Sequence, residues 1–153
     1  MSVPRVDQTI TDSIVRNIVV TWFRALDRHD DLEDVLAYLD PEAFELRLPM
    51  ETRHGLGGFR AWYEAVTHRF FDEQHRVTGV RITPSARWAD HVTVVDVRVN
   101  WQARTWRPPA AHSCWIGFDA HQTWHLVAGP DGRLVVRTYI VKALDPMPGS
   151  ADI

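Results

Sequence analysis

The sequence predicts an α+β domain, because its first half has the periodicity of helices and its second half that of strands. Apolar residues recur at three- and four-residue steps in three early segments, whereas apolar and polar residues alternate from residue 74 onward. The length of 153 residues fits one domain with its own core. We therefore expect a single domain over 1–153, with loose tails at 1–10 and 147–153, in which three N-terminal helices pack on a curved, mostly antiparallel sheet.

The first half contains three predicted helices and one predicted strand. The segment 11–30 has an apolar face and a capping residue in Thr11 or Asp12, and 30–41 repeats the pattern briefly. The segment 59–71 again places its aromatic and aliphatic residues on one face. Between these helices, 43–50 alternates as a strand does, and "GLGG" at 55–58 reads as a flexible turn.

The second half contains four predicted strands, at 75–84, 90–106, 114–127 and 133–144. The hairpin signal "AGPDGR" joins the last two strands. Gly79 is a poor strand former, and it predicts a bulge or a close approach by another group. Because simple alternation places His75, Val77 and Gly79 on one face, we expect the space above Gly79 to accommodate a ligand.

Composition excludes several classes of function. The formal net charge is -3 and the basic residues are scattered, so we expect no nucleic-acid partner. No apolar run reaches the roughly 18 residues that a membrane span needs, so no membrane partner is expected. The chain has a single cysteine, Cys114, and its first ten residues lack the apolar core of a signal peptide, which together favour the cytoplasm.

The order of these segments, with "ALDRHDDLEDVLAYLDPEAFELRLP" before a Gly-rich turn and a third helix, resembles the SnoaL-like branch of the NTF2-like superfamily. The resemblance runs from about Thr11 to Pro146. It implies a strongly curved sheet wrapped around helices, which together form a cone with a deep pocket. The fold alone does not decide the chemistry, because its members include isomerases, cyclases, dehydratases, epoxide hydrolases and binding modules.

Within this superfamily, the closest local resemblance is to the scytalone dehydratases. Gln74-His75 opens the first long strand as in that family, and Asp27 corresponds to its acidic residue after the first helix. The segment "AHQTWHLVAGPDG" places His121 and Thr123 at pocket positions of that family. The family's second catalytic histidine has no counterpart here, since Asn100 or Gln102 falls near that place, and its phenol-binding tyrosine is replaced by Leu26.

The resemblance implies an acid-base site in which Asp27 orients His75. A carboxylate bound to one imidazole nitrogen fixes the tautomer and leaves the other nitrogen free to move a proton. We therefore expect a cofactor-independent dehydratase, isomerase or cyclase acting on a small, largely apolar, oxygenated molecule. His121 would lie across the cavity and, with Asn100 or Arg98, polarise an oxygen of that molecule. The expected apolar wall and further substrate contacts are Trp22, Phe23, Trp62, Tyr63, Asp119 and Thr123.

Strand 90–106 leaves the assignment of its two faces open. Polar residues from Asp96 to Gln102 alternate with an apolar row, which consists of Val95, Val97, Val99 and Trp101. Polar side chains ordinarily face solvent. In the alternative that the resemblance suggests, the polar row faces the pocket and the apolar row lies outside, where it would form a homodimer interface.

Two other functions remain open in the sequence. Asp96, Arg98 and Asp119 resemble the Asp-Arg-Asp set of the limonene epoxide hydrolases, although here the order along the strand is reversed. The pocket could also bind a small ligand without any chemistry. A metal site is not expected, because His121 and His125 would lie about 13 Å apart along one strand.

Overall fold

Two long helices and one short helix precede most of the sheet. The computed structural model describes residues 11–83 and 91–153. Helix α1, Asp12–Asp27, begins after Thr11, whose side-chain oxygen accepts a hydrogen bond from the Ile14 backbone N–H at 3.2 Å. Helix α2, Leu32–Leu36, has five residues, and helix α3, Gly55–Arg69, has fifteen. The expected loose tail at 1–10 lies outside the described residues.

The expected second helix is shorter than the apolar pattern of 30–41 suggests. After Leu36 the chain runs beside a strand of the sheet instead of continuing as a helix. The Val136 backbone N–H donates to the Tyr38 carbonyl at 2.8 Å, and the Asp40 N–H donates back to the Val136 carbonyl at 2.9 Å. These bonds occupy the backbone groups that a longer helix would use, so the three-helix arrangement consists of two long helices and one short one.

The glycine-rich segment is not a flexible turn. Gly55 to Gly58 form the first turn of α3. Gly55 has φ +69°, a left-handed conformation that glycine adopts without strain, and it lets the chain pass from an extended segment directly into the helix.

Six strands form one mixed sheet in the order β2-β1-β6-β5-β4-β3. Their bounds are β1 Glu45–Arg47, β2 Thr52–His54, β3 Phe70–Ile82, β4 Thr93–Thr105, β5 Cys114–Ala128 and β6 Leu134–Pro146. Strand β1 pairs with β6 in parallel, and the other pairs are antiparallel. All of these strands except β2, a three-residue partner of β1, are predicted by the sequence pattern.

The apolar row of β4 faces the inside of the molecule. Val95, Val97 and Val99 are at most 2% exposed and pack in the same core as Trp22 and Trp124. The hypothesis that this row lies on the outside and forms a dimer interface is therefore wrong, because the row lies in the core. The ordinary rule for an antiparallel sheet holds here, because the helices cover the apolar face and leave the polar face outside.

The C-terminal residues are also attached to the sheet. The Met147 backbone N–H donates to the Gly117 carbonyl at 2.9 Å, and the Ala151 N–H donates to the Trp115 carbonyl at 3.1 Å. The Gly117 N–H donates to the Ser150 hydroxyl at 3.0 Å. The expectation of a loose tail at 147–153 is therefore corrected. In the described ranges, no helix has the length and apolar character that crossing a bilayer requires.

Candidate active site

A cavity of about 800 Å³ opens between the helices and the inner face of the sheet. This volume lies in the range of small-molecule sites, which hold drug-sized ligands. Aromatic side chains from helices α1 and α3 and from four strands supply much of its wall, among them Phe23, Trp62, Tyr63, Trp101, Phe118 and Tyr139. Three of the four expected apolar contacts thus line the cavity. The fourth, Trp22, is 1% exposed in the core behind it.

His75 and Asp27 form a hydrogen-bonded pair at this cavity. Nδ1 of His75 lies 2.5 Å from Oδ1 of Asp27, and the His75 backbone N–H donates to Oδ2 at 3.0 Å. The His75 side chain, 9% exposed, lines the cavity, while Asp27 lies behind it at the end of α1. With Asp27 ionised, the imidazole proton lies on Nδ1 and Nε2 is the free nitrogen.

Two aromatic rings hold the imidazole between them. The Phe23 ring lies 4.8 Å from that of His75 at an interplanar angle of 23°, and the Trp101 ring lies 5.9 Å away at 11°. Residues 11–83 and 91–153 supply no hydrogen bond to Nε2 of His75, and they contain no fully buried side-chain nitrogen or oxygen that lacks a partner. Nε2 is therefore accessible, and the cavity is the space that His75 faces.

A second carboxylate, Glu73, lies on the same strand face as His75. Its Oε1 accepts a hydrogen bond from Nε1 of Trp101 at 3.1 Å, and its Oε2 pairs with Nε2 of His29. The Glu73 side chain is 8% exposed and lines the cavity. Glu73 thus fixes the tryptophan that stacks on the imidazole, and it binds the segment after α1 to β3.

Glu73 and His29 are not among the site residues that the sequence predicts. Glu73 precedes His75 by two residues, and this spacing was the available signal. The signal was weak because β3 has a register shift between Phe71 and Gln74, and Asp72 has φ +51°. An irregular strand start of this kind is not visible in an alternation pattern.

The polar row of β4 and β5 lies on the opposite face from the cavity. Strand alternation points Val99, Ala120 and Gln122 into the cavity, and their neighbours point outward. The outward set comprises Asp96, Arg98, Asn100, Asp119, His121 and Thr123. Asp96 belongs only to the alternative hydrolase set, and the other five were expected to contact or act on the ligand. The expected position of His121 across the cavity is therefore wrong.

These outward residues bond mainly to one another. Nδ2 of Asn100 donates to Oδ1 of Asp119 at 2.9 Å, and the Thr123 hydroxyl donates to Oδ1 of Asp96 at 3.3 Å. His121 Nε2 lies 3.9 Å from the same Asp96 oxygen. Asp96, Arg98 and Asp119 consequently cannot act as an epoxide-hydrolase set on a molecule inside the cavity.

Gly79 also lies on the outer face. A register shift between Val77 and Gly79 changes the face that the following residues occupy, and Gly79 pairs with Arg98. A Cβ built at Gly79 would lie 3.7 Å from Cβ of Arg98. The predicted bulge is present, but the expectation that Gly79 makes room for a ligand is wrong.

Within residues 11–83 and 91–153, no three histidine, cysteine, aspartate or glutamate side chains form a group that could hold a metal ion. Cys114 is free and exposed.

Comparison with known proteins gives similarity in structure alone. No family model matches the sequence, and neither does any curated protein. A hexachlorocyclohexane dehydrochlorinase, LinA-type3 from Novosphingobium barchaimii, has a TM-score of 0.71 at 13% identity, with 97% of each chain covered. A protein from Novosphingobium aromaticivorans named after scytalone dehydratase has a TM-score of 0.68 at 12% identity, covering 91% of this chain and 94% of that chain.

A ketosteroid isomerase-like protein from Erwinia carotovora has a TM-score of 0.64 at 15% identity, covering 88% of this chain and 95% of that chain. Identities this low establish the fold and leave the chemistry to the residues of the site. The helices and the six-stranded mixed sheet give this chain the fold of these structures, a fold it shares with proteins of the NTF2-like family.

Proposed function

We propose that the protein is an acid-base enzyme of the lyase or isomerase type, acting on a small, largely apolar, oxygenated molecule in the cavity. One observation carries this proposal: the His75 imidazole is bound by Asp27 at Nδ1, held between two aromatic rings, and accessible at Nε2. In this arrangement Nε2 is the basic nitrogen, and Asp27 stabilises the imidazolium that forms when Nε2 takes a proton.

The reaction needs only groups that the site provides. Nε2 of His75 removes a proton from a carbon next to a carbonyl group, and the electron pair of that C–H bond moves into a new double bond. In an elimination, the bond to the leaving hydroxyl breaks and the imidazolium returns its proton to that oxygen, so water leaves. In an isomerisation, the same proton returns to a different carbon of the conjugated system.

The cavity wall and the similar structures support this reaction class. Aromatic and aliphatic side chains favour an apolar frame, and they exclude water from a proton transfer. The names of the structures with the same fold describe a dehydrochlorinase, a dehydratase and an isomerase-like protein, which are elimination and isomerisation chemistries.

The test is turnover of a panel of cyclic β-hydroxy ketones and β,γ-unsaturated ketones by the wild type and two histidine variants. We expect His75→Ala to lower turnover by about 100-fold or more, the usual scale for a general base. His121→Ala is the matched control, because His121 lies on the outer face, and we expect it to stay near the wild-type rate. Equal turnover by His75→Ala and the wild type would exclude His75 as the base, and a wild type that binds these ketones without turnover would favour a binding module.

A further inference from the structure

Two buried polar side chains lie on the inner face of the sheet, apart from the Asp27–His75 pair. Gln122 of β5 is 6% exposed and Tyr139 of β6 is 4% exposed, and both line the cavity. Gln122 pairs with Val97 of β4, whereas His75 pairs with Trp101, four residues further along the same strand. The cavity therefore has a second polar position at a different level of the sheet from His75.

Two tryptophans donate hydrogen bonds to this second position. Nε1 of Trp124 donates to Oε1 of Gln122 at 2.9 Å, and Nε1 of Trp22 donates to the Tyr139 hydroxyl oxygen at 3.4 Å. Burial raises the pKa of Tyr139, and the Trp22 indole and the Gln122 amide near the phenol oxygen oppose part of that rise. Tyr139 thus stays protonated at neutral pH, and its oxygen accepts a hydrogen bond from Trp22.

The group has more donors than acceptors. Two indole N–H groups, two amide N–H groups and one phenol O–H face two acceptor atoms, the amide oxygen and the phenol oxygen. The two indole N–H groups use those two oxygens, Trp124 the amide oxygen and Trp22 the phenol oxygen. The Tyr139 O–H and the amide N–H groups of Gln122 have no acceptor in hydrogen-bond geometry among the residues that the structure describes. Free donors at the cavity wall favour a partner that only accepts hydrogen bonds.

We propose that Gln122 and Tyr139 form a binding site for a carbonyl oxygen of the ligand. This inference rests on the proposed function, because it takes the cavity as the ligand site. A carbonyl oxygen accepts two hydrogen bonds and brings no hydrogen of its own, which matches the surplus of donors. When His75 removes a proton from the conjugated carbon frame, negative charge moves to that oxygen, and the two donors stabilise it. The ligand class is an apolar ring ketone or enone.

The test compares two probes that differ only in this oxygen. Binding of 2-tetralone and of tetralin, its hydrocarbon counterpart, is measured by calorimetric titration against the wild type, Tyr139→Phe, Gln122→Met and the control Tyr38→Phe. Tyr38 also contacts Trp22 through its ring, but it does not line the cavity. We expect the wild type and the control to prefer the ketone by roughly tenfold or more. In the other two variants this preference falls toward onefold, while the affinity for tetralin is retained.

Retained tetralin binding shows that a variant is folded with its cavity intact. If Tyr139→Phe fails to fold, the ketone preference of Gln122→Met alone tests the carbonyl site. A ketone preference that survives in either folded variant would overturn the carbonyl site. So would a wild type that binds both probes equally. In both cases the effect of His75→Ala on turnover still tests the proposed function separately.

Discussion

Both oxygens of the Asp27 carboxylate bind His75, one at the ring Nδ1 atom at 2.5 Å and the other at the backbone N–H at 3.0 Å. A single side chain at the end of α1 therefore positions both the strand and the imidazole. The backbone bond holds β3 against the helix, and the ring bond sets the tautomer that leaves Nε2 free.

Asp27→Asn removes the negative charge that stabilises an imidazolium at His75. We expect turnover to fall by about 100-fold or more with a much smaller change in KM, because the ligand contacts the cavity wall and not Asp27. The double variant Asp27→Asn/His75→Ala is expected to be little worse than His75→Ala, since the two residues act as one unit. Asp34→Asn, an exposed change in α2, is the control. Additive losses in the double variant would show that the residues act independently.

Glu73→Ala leaves the Trp101 indole N–H and His29 without their acceptor in a nearly buried place. We expect the free energy of unfolding to fall by about 1–3 kcal/mol in urea denaturation. Glu64→Ala, on the exposed side of α3, is the matched control and should change it by less than about 0.5 kcal/mol. Equal effects of the two variants would contradict the role of Glu73 in fixing Trp101.

Ala120→Leu tests which face of the sheet forms the cavity. Ala120 is 6% exposed and lines the cavity, so the larger side chain occupies ligand space. We expect 2-tetralone to bind at least about tenfold more weakly, because overlap with the wall excludes the ring. Gly79→Ala is the comparison, since its new Cβ makes an ordinary contact with Arg98 on the outer face and should leave binding unchanged. Loss of 2-tetralone binding in Gly79→Ala, with binding retained in Ala120→Leu, would mean that Gly79 and not Ala120 faces the cavity.

Tyr63 makes the fold sensitive to alkaline pH. Its hydroxyl donates to the Asp30 carbonyl at 2.6 Å, and burial, with the nearby Asp30 and Glu73 carboxylates, raises the pKa of Tyr63 to about 12 from 10.0. Between pH 10 and 12 the unfolded chain loses the phenol proton that the folded chain keeps. Stability therefore falls as the pH rises through this window, by an amount on the order of 2 kcal/mol from this residue.

Tyr63→Phe removes that contribution. The variant is expected to be less stable than the wild type at pH 8 and to lose less stability between pH 9 and pH 12, measured by urea denaturation at each pH. If the free energy of unfolding changed with pH in the same way in both proteins, the raised pKa of Tyr63 would be contradicted.

Much of the fold could be predicted from local pattern. The cap at Thr11, the apolar face of α1 and the alternation in the four long strands all have local physical causes, and the structure contains each of these elements. Strand β2 was missed because three residues beside a glycine-rich segment carry no periodic signal. The Asp27–His75 pair joins residues 48 positions apart, and the family resemblance rather than any spacing pointed to it.

The faces of the sheet could not be read from the same pattern. Two register shifts in β3 change which residues point inward, so Glu73 reaches the cavity and Gly79 does not. The polar row that contains Arg98 and His121 was open to either side, because alternation separates two faces without saying which one the helices cover. Gln122 was not predicted as a site residue because it is a single polar residue in an apolar row. Its hydrogen bond from Trp124 is seen only in the folded structure.

Exchange of the α-hydrogens of 2-tetralone in D2O, followed by proton NMR, tests directly whether His75 transfers a proton to or from a bound ketone. Exchange requires a base at the bound carbon and needs no knowledge of the natural substrate. We expect the wild type to accelerate exchange by about 100-fold or more over buffer, His121→Ala to match it, and His75→Ala and Asp27→Asn to lose most of the acceleration. A wild type that binds the ketone without accelerating exchange, or a His75→Ala variant as fast as the wild type, would contradict the assignment of His75 as the proton-transfer group.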